Sequence, residues 1–321
     1  MLEFDFQSID QTQRAEFAKM ARGLSGNRAS VEFLVKQIGV RVTKTRNDSY
    51  FTDTVNYLCA HLFAHANMPN EAAQAIAASK VLPYSGGDAL FHDAVAESIT
   101  LAHAQDEAIR RGAPAIVLAS MPRAASAALT QTLAQITGAP IFRVSIGEFP
   151  NYWLMPAWLK RLTPGGAILH DHFGASRFNL LELHSHGIKV VFVLVRDPRA
   201  AAMSYAKWEC SGSPTEGIVE EVYLKYVSWL RDWLEAERAE KITVRWIRSH
   251  DVTHGPASLK SVLTTVLGLN FVDRISNASL AVANFTGERS EAWRESVSPQ
   301  LRDKMWSLLP PEVVDLLQLR Q

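Results

Sequence analysis

Two short stretches carry residues able to hold anions, and a third carries a pair of imidazoles. In Ile116–Leu133, IVLASMPRAASAALTQTL, an apolar run stops at Ser120-Met121-Pro122-Arg123 and an alanine-rich segment of helical character follows at once. Strand, tight loop and helix N-terminus in that order form an anion site. The first N–H groups of a helix lack carbonyl partners, and the helix dipole favours negative charge there. With Ala115–Ala119 as a strand and Ala124 as the first helical residue, the N–H groups of Ala124, Ala125, Ser126 and Ala127 point at one spot. Arg123 and the Ser126 hydroxyl add hydrogen bonds to it. A plain strand-to-helix turn with Arg123 in solvent accounts for the stretch equally well.

In VVFVLVRDPRAAAMSYAKW an apolar strand ends at Val195 and Arg196 follows at its carboxyl edge. Asp197 suits a helix cap, Pro198 suits the first turn, and Ser204 comes eight residues after Arg196. In an open parallel sheet ligands sit outside the carboxyl ends of the strands, so Arg196 and Ser204 could close on a second phosphate. Alone, Arg-Asp-Pro-Arg reads more simply as a salt-bridged helix cap. The third stretch, AILHDHFGASRF, holds His170 and His172 around Asp171. An imidazole, with an ordinary pKa near 6.5, suits proton transfer around neutrality. As a metal site His-Asp-His offers two imidazoles and no third ligand at a recognisable spacing, so metal is the weaker reading and none is expected.

The elements that must position these residues follow from pattern. Residues 1 to 112 read as helices: FAKMARGL, ASVEFLVKQIGV, TVNYLCAHLFAHA, NEAAQAIAASKVL and LFHDAVAESITLAHAQDEAIRR place apolar residues three and four apart, with Asp88 as a helix cap. From Ala113 short Val- and Ile-rich runs (AIVLA, IFRV, AILH, KVVFVLV, KITVRWI) alternate with helical segments. Fully apolar strands between helices predict a parallel sheet covered on both faces. The expected architecture is a three-layer α/β/α domain over 113–321, of the P-loop NTPase type, with a boundary at RRGAP.

Composition removes several function classes. Of 321 residues 47% are hydrophobic, and Lys+Arg and Asp+Glu balance at 33 each, so no global field draws the chain to nucleic acid or an anionic membrane. Cys59 and Cys210 form no disulfide framework or metal spacing. MLEFDFQSIDQTQRAEF has no basic start or apolar core, and no run approaches the roughly 20 apolar residues of a spanning helix. A soluble, cytoplasmic protein is expected.

Taken together the two anion stretches resemble a known family. SMPRAASAAL resembles the 5′-phosphosulfate loop of sulfotransferases, of form Ser-x-Pro-Lys/Arg-Ser-Gly-Thr/Ser-Thr/Ser-x-Leu, and RDPRAAAMSY resembles their 3′-phosphate motif. Order and separation match as well. The resemblance covers about Ala113 to the C-terminus, and its second motif is the more specific. It implies 3′-phosphoadenosine 5′-phosphosulfate (PAPS) as co-substrate. Arg123 then faces the 5′-phosphate and stabilises the leaving group, Ser126 stands for the loop's first hydroxyl, and Arg196 and Ser204 grip the 3′-phosphate. GERSEAW resembles the C-terminal Arg-Lys-Gly…Trp segment, with Gly287 and Trp293 keeping the spacing.

The chain also departs from the family. Ala125 replaces the loop's Gly, which requires a negative φ there if alanine is to be tolerated; Ala127 replaces a hydroxyl and Ala128 an aromatic. Phe285 and Thr286 replace the Arg-Lys pair, leaving Arg289 to supply charge. By the same resemblance His172 takes the acceptor's proton, with His170 at the family's Lys position, orienting the site or binding the donor. Glu148 in IFRVSIGEFPNYW is the rival base, as in polysaccharide-modifying members. Tyr152, Trp153, Trp158, Tyr205 and Trp208 line an acceptor pocket or belong to the core. The aromatics of YLKYVSWLRDWLEAER read as packing.

Three function classes follow. The first is a sulfotransferase acting on a hydroxyl or amine of a small molecule or saccharide. The second is a P-loop kinase or NTPase, for which PRAAS lacks the loop Lys and glycines. The third is a silent nucleotide-binding scaffold. Residues 1–112 are expected to cover the acceptor entrance or mediate association.

Overall fold

A computed structural model describes residues 56, 59–64, 66–78, 94–268 and 292–319. Asp88, Phe285, Thr286, Gly287 and Arg289 lie outside the described residues. In chain order the elements are helices α1 (Pro69–Ala77) and α2 (Ala94–Arg110), strand β1 (Ala115–Ser120), α3 (Ser126–Thr137), β2 (Ile141–Phe142), β3 (Ser145–Glu148), β4 (Asn151–Leu154) and α4 (Pro156–Leu162). There follow β5 (Ala167–Asp171), α5 (Arg177–Ser185), β6 (Val190–Val195), α6 (Pro198–Glu209), α7 (Glu216–Arg238), β7 (Thr243–Arg248), α8 (Ser249–Thr253) and α9 (Pro256–Leu267). A 3₁₀ turn (Ala292–Ser296), α10 (Pro299–Ser307) and α11 (Pro311–Leu317) close the chain.

All five apolar runs after Ala113 become strands of one parallel sheet in the order β2-β5-β1-β6-β7, with helices flanking it as the expected α/β/α layers. Every residue of β5 is buried, as is β1 from Ile116 onward. Such strands cannot face water on either side, which is why they read as continuous apolar runs. The chain visits β5 on one side of β1 and then crosses to β6 on the other. The loops leaving β1 and β6 therefore diverge at a topological switch point, where a crevice opens at the carboxyl edge.

The described helices before Ala113 share this core: Ala60, Ala64, Ala72 and Ile76 belong to the same apolar cluster as Ile116 and Leu159. The end of α2 is fastened by Gln105, whose buried amide Nε2 donates to the Gly165 carbonyl at 3.0 Å. Gly166 adopts φ +61°, and a Cβ there would lie 2.5 Å from the Gln105 carbonyl oxygen, so only glycine permits this approach. No helix among the described residues is long and apolar enough to cross a membrane.

One element was not legible in the apolar pattern. β3 and β4 form an antiparallel hairpin, with Gly147 opposite Tyr152 and Glu148 opposite Asn151. Asn179 pins it to the segment after β5. Its Oδ1 accepts the Leu154 N–H at 2.8 Å, and its Nδ2 donates to the carbonyls of Tyr152 at 2.8 Å and Gly174 at 2.9 Å. The amide is fully buried, and these bonds satisfy its donors and its acceptor oxygen.

Helix α7 supports the carboxyl edge from beneath. Tyr223, Tyr226, Trp229 and Trp233 form its buried face, in line with the packing role read from their spacing. Two of them also hold loops: the Tyr226 hydroxyl donates to the Pro122 carbonyl at 3.2 Å, and Trp229 Nε1 donates to that of Phe173 at 3.0 Å. One rigid helix thus fixes both the turn after β1 and the chain just beyond His172.

Candidate functional site

The turn after β1 is built from two left-handed residues. Met121 donates to the Leu194 carbonyl at 2.9 Å, tying the turn's start to β6. Arg123 then adopts φ +65° and Ala125 φ +67°. Between them buried Ala124 closes a turn by donating its N–H to the Met121 carbonyl at 3.2 Å. Two corrections follow. Helix α3 begins at Ser126, two residues later than expected, so Ala124 leaves the set of free donors. The first-turn donors are instead those of Ala125, Ser126, Ala127 and Ala128. At Ala125, where tolerance of alanine was tied to a negative φ, the φ is positive.

No side chain caps this helix end. The backbone path is one that glycine favours, and alanine holds it at a cost of roughly 1–2 kcal/mol. Ala125→Gly is therefore expected to raise unfolding stability by about 0.5–1 kcal/mol, since relieved strain outweighs the added freedom of the unfolded chain. Urea titration of both proteins checks this, and a less stable variant would contradict the left-handed turn.

The second motif divides its two arginines between structure and site. Asp197 caps α6, its carboxylate accepting from the Arg199 N–H at 3.0 Å. Arg199 Nε and Nη2 also donate to the two carboxylate oxygens, each at 2.9 Å. The Arg199 guanidinium is buried 4.9 Å from the Trp293 ring centre and 5.1 Å from that of Trp306. The salt-bridged cap thus belongs to Asp197 and Arg199. Trp293, from the stretch GERSEAW, packs on the back of the second one.

Arg196 faces the other way. Its Nη1 donates to the Arg123 carbonyl at 3.2 Å, and Arg123 Nε donates to the Ser204 hydroxyl at 3.2 Å. The structure therefore brings Arg123, Arg196 and Ser204 into one hydrogen-bonded group at the mouth of the crevice, beside the uncapped start of α3. Two guanidiniums and four backbone donors there make a strongly anion-selective surface.

The imidazoles lie one strand away, at the end of β5. His170 and His172 project to the same side because strand side chains alternate. Ser120, at the end of β1, lies between them: its Oγ is 2.8 Å from His170 Nε2 and 3.0 Å from His172 Nδ1. His172 Nδ1 is also 2.8 Å from the Ser120 carbonyl oxygen. A carbonyl only accepts, so Nδ1 carries the proton and the lone pair of the neutral ring sits on Nε2. The Ser120 hydroxyl is then assigned as donor to His170 Nε2.

Burial holds His170 well below the ordinary histidine pKa, and the neighbouring His172 and Arg143 push it the same way. His172 is lowered too: desolvation and Arg143 outweigh the Asp171 carboxylate and the Ser120 carbonyl, which act to raise it. Both rings are therefore neutral near pH 7. Asp171 is itself buried; its Oδ1 accepts the His172 N–H at 2.9 Å, and its Oδ2 has no hydrogen-bond partner among the described residues.

The hairpin closes the far side. The Tyr152 ring meets His172 edge-on, with centroids 6.0 Å apart. Desolvation raises the Tyr152 pKa, with the charges of Asp171 and Glu148 adding to it and that of Arg143 opposing it. Glu148 is thus a neighbour of Tyr152 at the hairpin end, while the ring with a fixed lone pair is His172. Phe149, Tyr226, Tyr205 and Trp208 continue the aromatic wall, Phe149 and Tyr226 edge-on at 4.9 Å and Tyr205 and Trp208 tilted at 5.5 Å. Trp208 is 64% exposed, whereas Trp158 belongs to the core.

Ser120 and Arg143 were not picked out from the sequence as partners of the imidazoles. The signal for Ser120 was a polar residue closing an otherwise apolar strand; its meaning depends on a β1–β5 pairing that no local pattern fixes. Among the described residues no three His, Cys, Asp or Glu side chains gather as a metal site. Compared with models of known protein families, with curated proteins and with solved structures, the chain matches none.

Proposed function

We propose that this chain is a PAPS-dependent sulfotransferase that sulfates a hydroxyl, with His172 as general base. The observation that carries the reading is the junction of the two anion-binding loops through Arg123, Ser204 and Arg196 beside an imidazole whose Nε2 lone pair is fixed. A nucleotide with phosphates at both its 3′ and 5′ positions matches two arginines on adjacent strand ends better than a linear triphosphate does. The left-handed turn at Ala125 supports the fit, since the family's glycine position keeps a glycine-like backbone here.

When bound, the co-substrate supplies the sulfuryl group, whose bond to the 5′-phosphate breaks as the acceptor oxygen bonds to sulfur. His172 Nε2 takes the acceptor's proton, and the Asp171 carboxylate favours the imidazolium so formed. Arg123 and the donors of Ala125 to Ala128 stabilise the negative charge that gathers on the 5′-phosphate. Arg196 and Ser204 hold the 3′-phosphate, and the aromatic wall keeps water from the acceptor.

The test is transfer of radiolabelled sulfate from PAPS to a panel of phenols, alcohols and saccharides. Labelled ester is expected with the unaltered chain, and no label on any acceptor would contradict the reading.

A further inference from the structure

Arg143 is the first residue beyond β2, the strand that flanks β5 at the sheet edge. Phe142 pairs with Leu169 in register, which puts Arg143 level with His170. Its side chain is half-buried, and among the described residues its guanidinium forms no hydrogen bond or ion pair. Its charge is felt by His170, His172 and Tyr152. A cation partly withdrawn from water normally has a counter-charge.

The strand order says which reactant could provide one. Along the carboxyl edge Arg143 follows β2, His172 follows β5, the Arg123 turn follows β1 and Arg196 follows β6. Neighbouring strands are about 4.8 Å apart, so the end of β2 lies roughly 10 Å from that of β1 and roughly 15 Å from that of β6. A nucleotide held between β1 and β6 has His172 between itself and Arg143. The free cation therefore stands on the acceptor's side of the base.

We propose that Arg143 binds a carboxylate on the acceptor, so that the substrate is a hydroxy acid. The inference rests on the sulfuryl-transfer reading. The guanidinium fork suits a planar carboxylate in a bidentate pair, holding the acid on one side of His172 while the hydroxyl meets Nε2.

The test uses the full chain saturated with 3′,5′-bisphosphoadenosine and titrated with matched pairs: 4-hydroxyphenylacetate against its amide, and glucuronate against glucuronamide. At least one acid is expected to bind about 10- to 100-fold more tightly than its amide, the range of a charge-assisted pair. Arg143→Gln removes that difference, Arg143→Lys keeps part of it, and both variants bind the bisphosphate as the unaltered chain does. Equal binding of acid and amide in both pairs overturns the proposal. A loss of bisphosphate affinity in Arg143→Gln as large as the loss of acid binding also overturns it, by assigning the arginine to the nucleotide. Failure of the unaltered chain to bind the bisphosphate would overturn the transfer reading and this inference together, whereas bisphosphate binding without acid preference overturns this inference alone.

Discussion

His172→Ala is expected to lower kcat for sulfate transfer by about 100- to 10,000-fold, the range of a positioned general base, with little change in nucleotide affinity. The ring's Nδ1 proton is engaged by the Ser120 carbonyl, so one nitrogen alone is free to accept, and alanine removes it. The pH dependence follows from the same geometry. Desolvation, foremost, places the folded-state pKa of His172 below its ordinary value. The basic form is the neutral ring, so activity rises with pH through that lowered pKa and levels off above it.

Stability carries the same sign. His170 and His172 bind protons less readily folded than unfolded, so they oppose unfolding fully above about pH 6.5. That contribution is lost as pH falls from there through their lowered folded-state values. A pH–rate profile checks the assignment. A His172→Ala enzyme with full activity, or one silenced only by Glu148→Gln, would transfer the role to Glu148.

Arg123→Ala is expected to reduce kcat by about 100- to 1,000-fold, the cost of removing one donor aimed at developing charge. The side chain is exposed and its described hydrogen bond reaches Ser204 across the crevice rather than the core, so the fold is expected to withstand the change. Single-turnover kinetics with PAPS separates the two effects. A variant that binds PAPS weakly but reacts at the normal rate once saturated would make Arg123 a ground-state binder and contradict its place at the leaving group.

The parallel sheet was legible because its central strands β1 and β5 are buried on both faces and the apolar runs end abruptly. The places of Arg196 and His172 were legible because each directly follows an apolar run that becomes a strand of the sheet. The turn at Ala124 and Ala125 was misread. Alanine predicts helix by propensity, whereas the tertiary fit, with the Tyr226 hydroxyl on Pro122 and Met121 bonded to β6, accompanies left-handed Arg123 and Ala125. The β3–β4 hairpin was hidden for a related reason: Asn179 holds it through hydrogen bonds to Tyr152 and Leu154, far away in the chain. Arg143 and Ser120 acquire meaning only from strand order, which juxtaposes residues tens of positions apart.

The claim beneath all of this is that two neighbouring strand ends hold the two phosphates of one adenosine nucleotide. Calorimetric titration of the full chain with 3′,5′-bisphosphoadenosine and with ADP tests it most directly. The account predicts saturable binding of the bisphosphate, at least about tenfold tighter than ADP because a lost charge-assisted contact costs over 1.4 kcal/mol, and an Arg196→Ala chain that no longer distinguishes them. Equal affinity for both nucleotides, or an undiminished preference in Arg196→Ala, would contradict it.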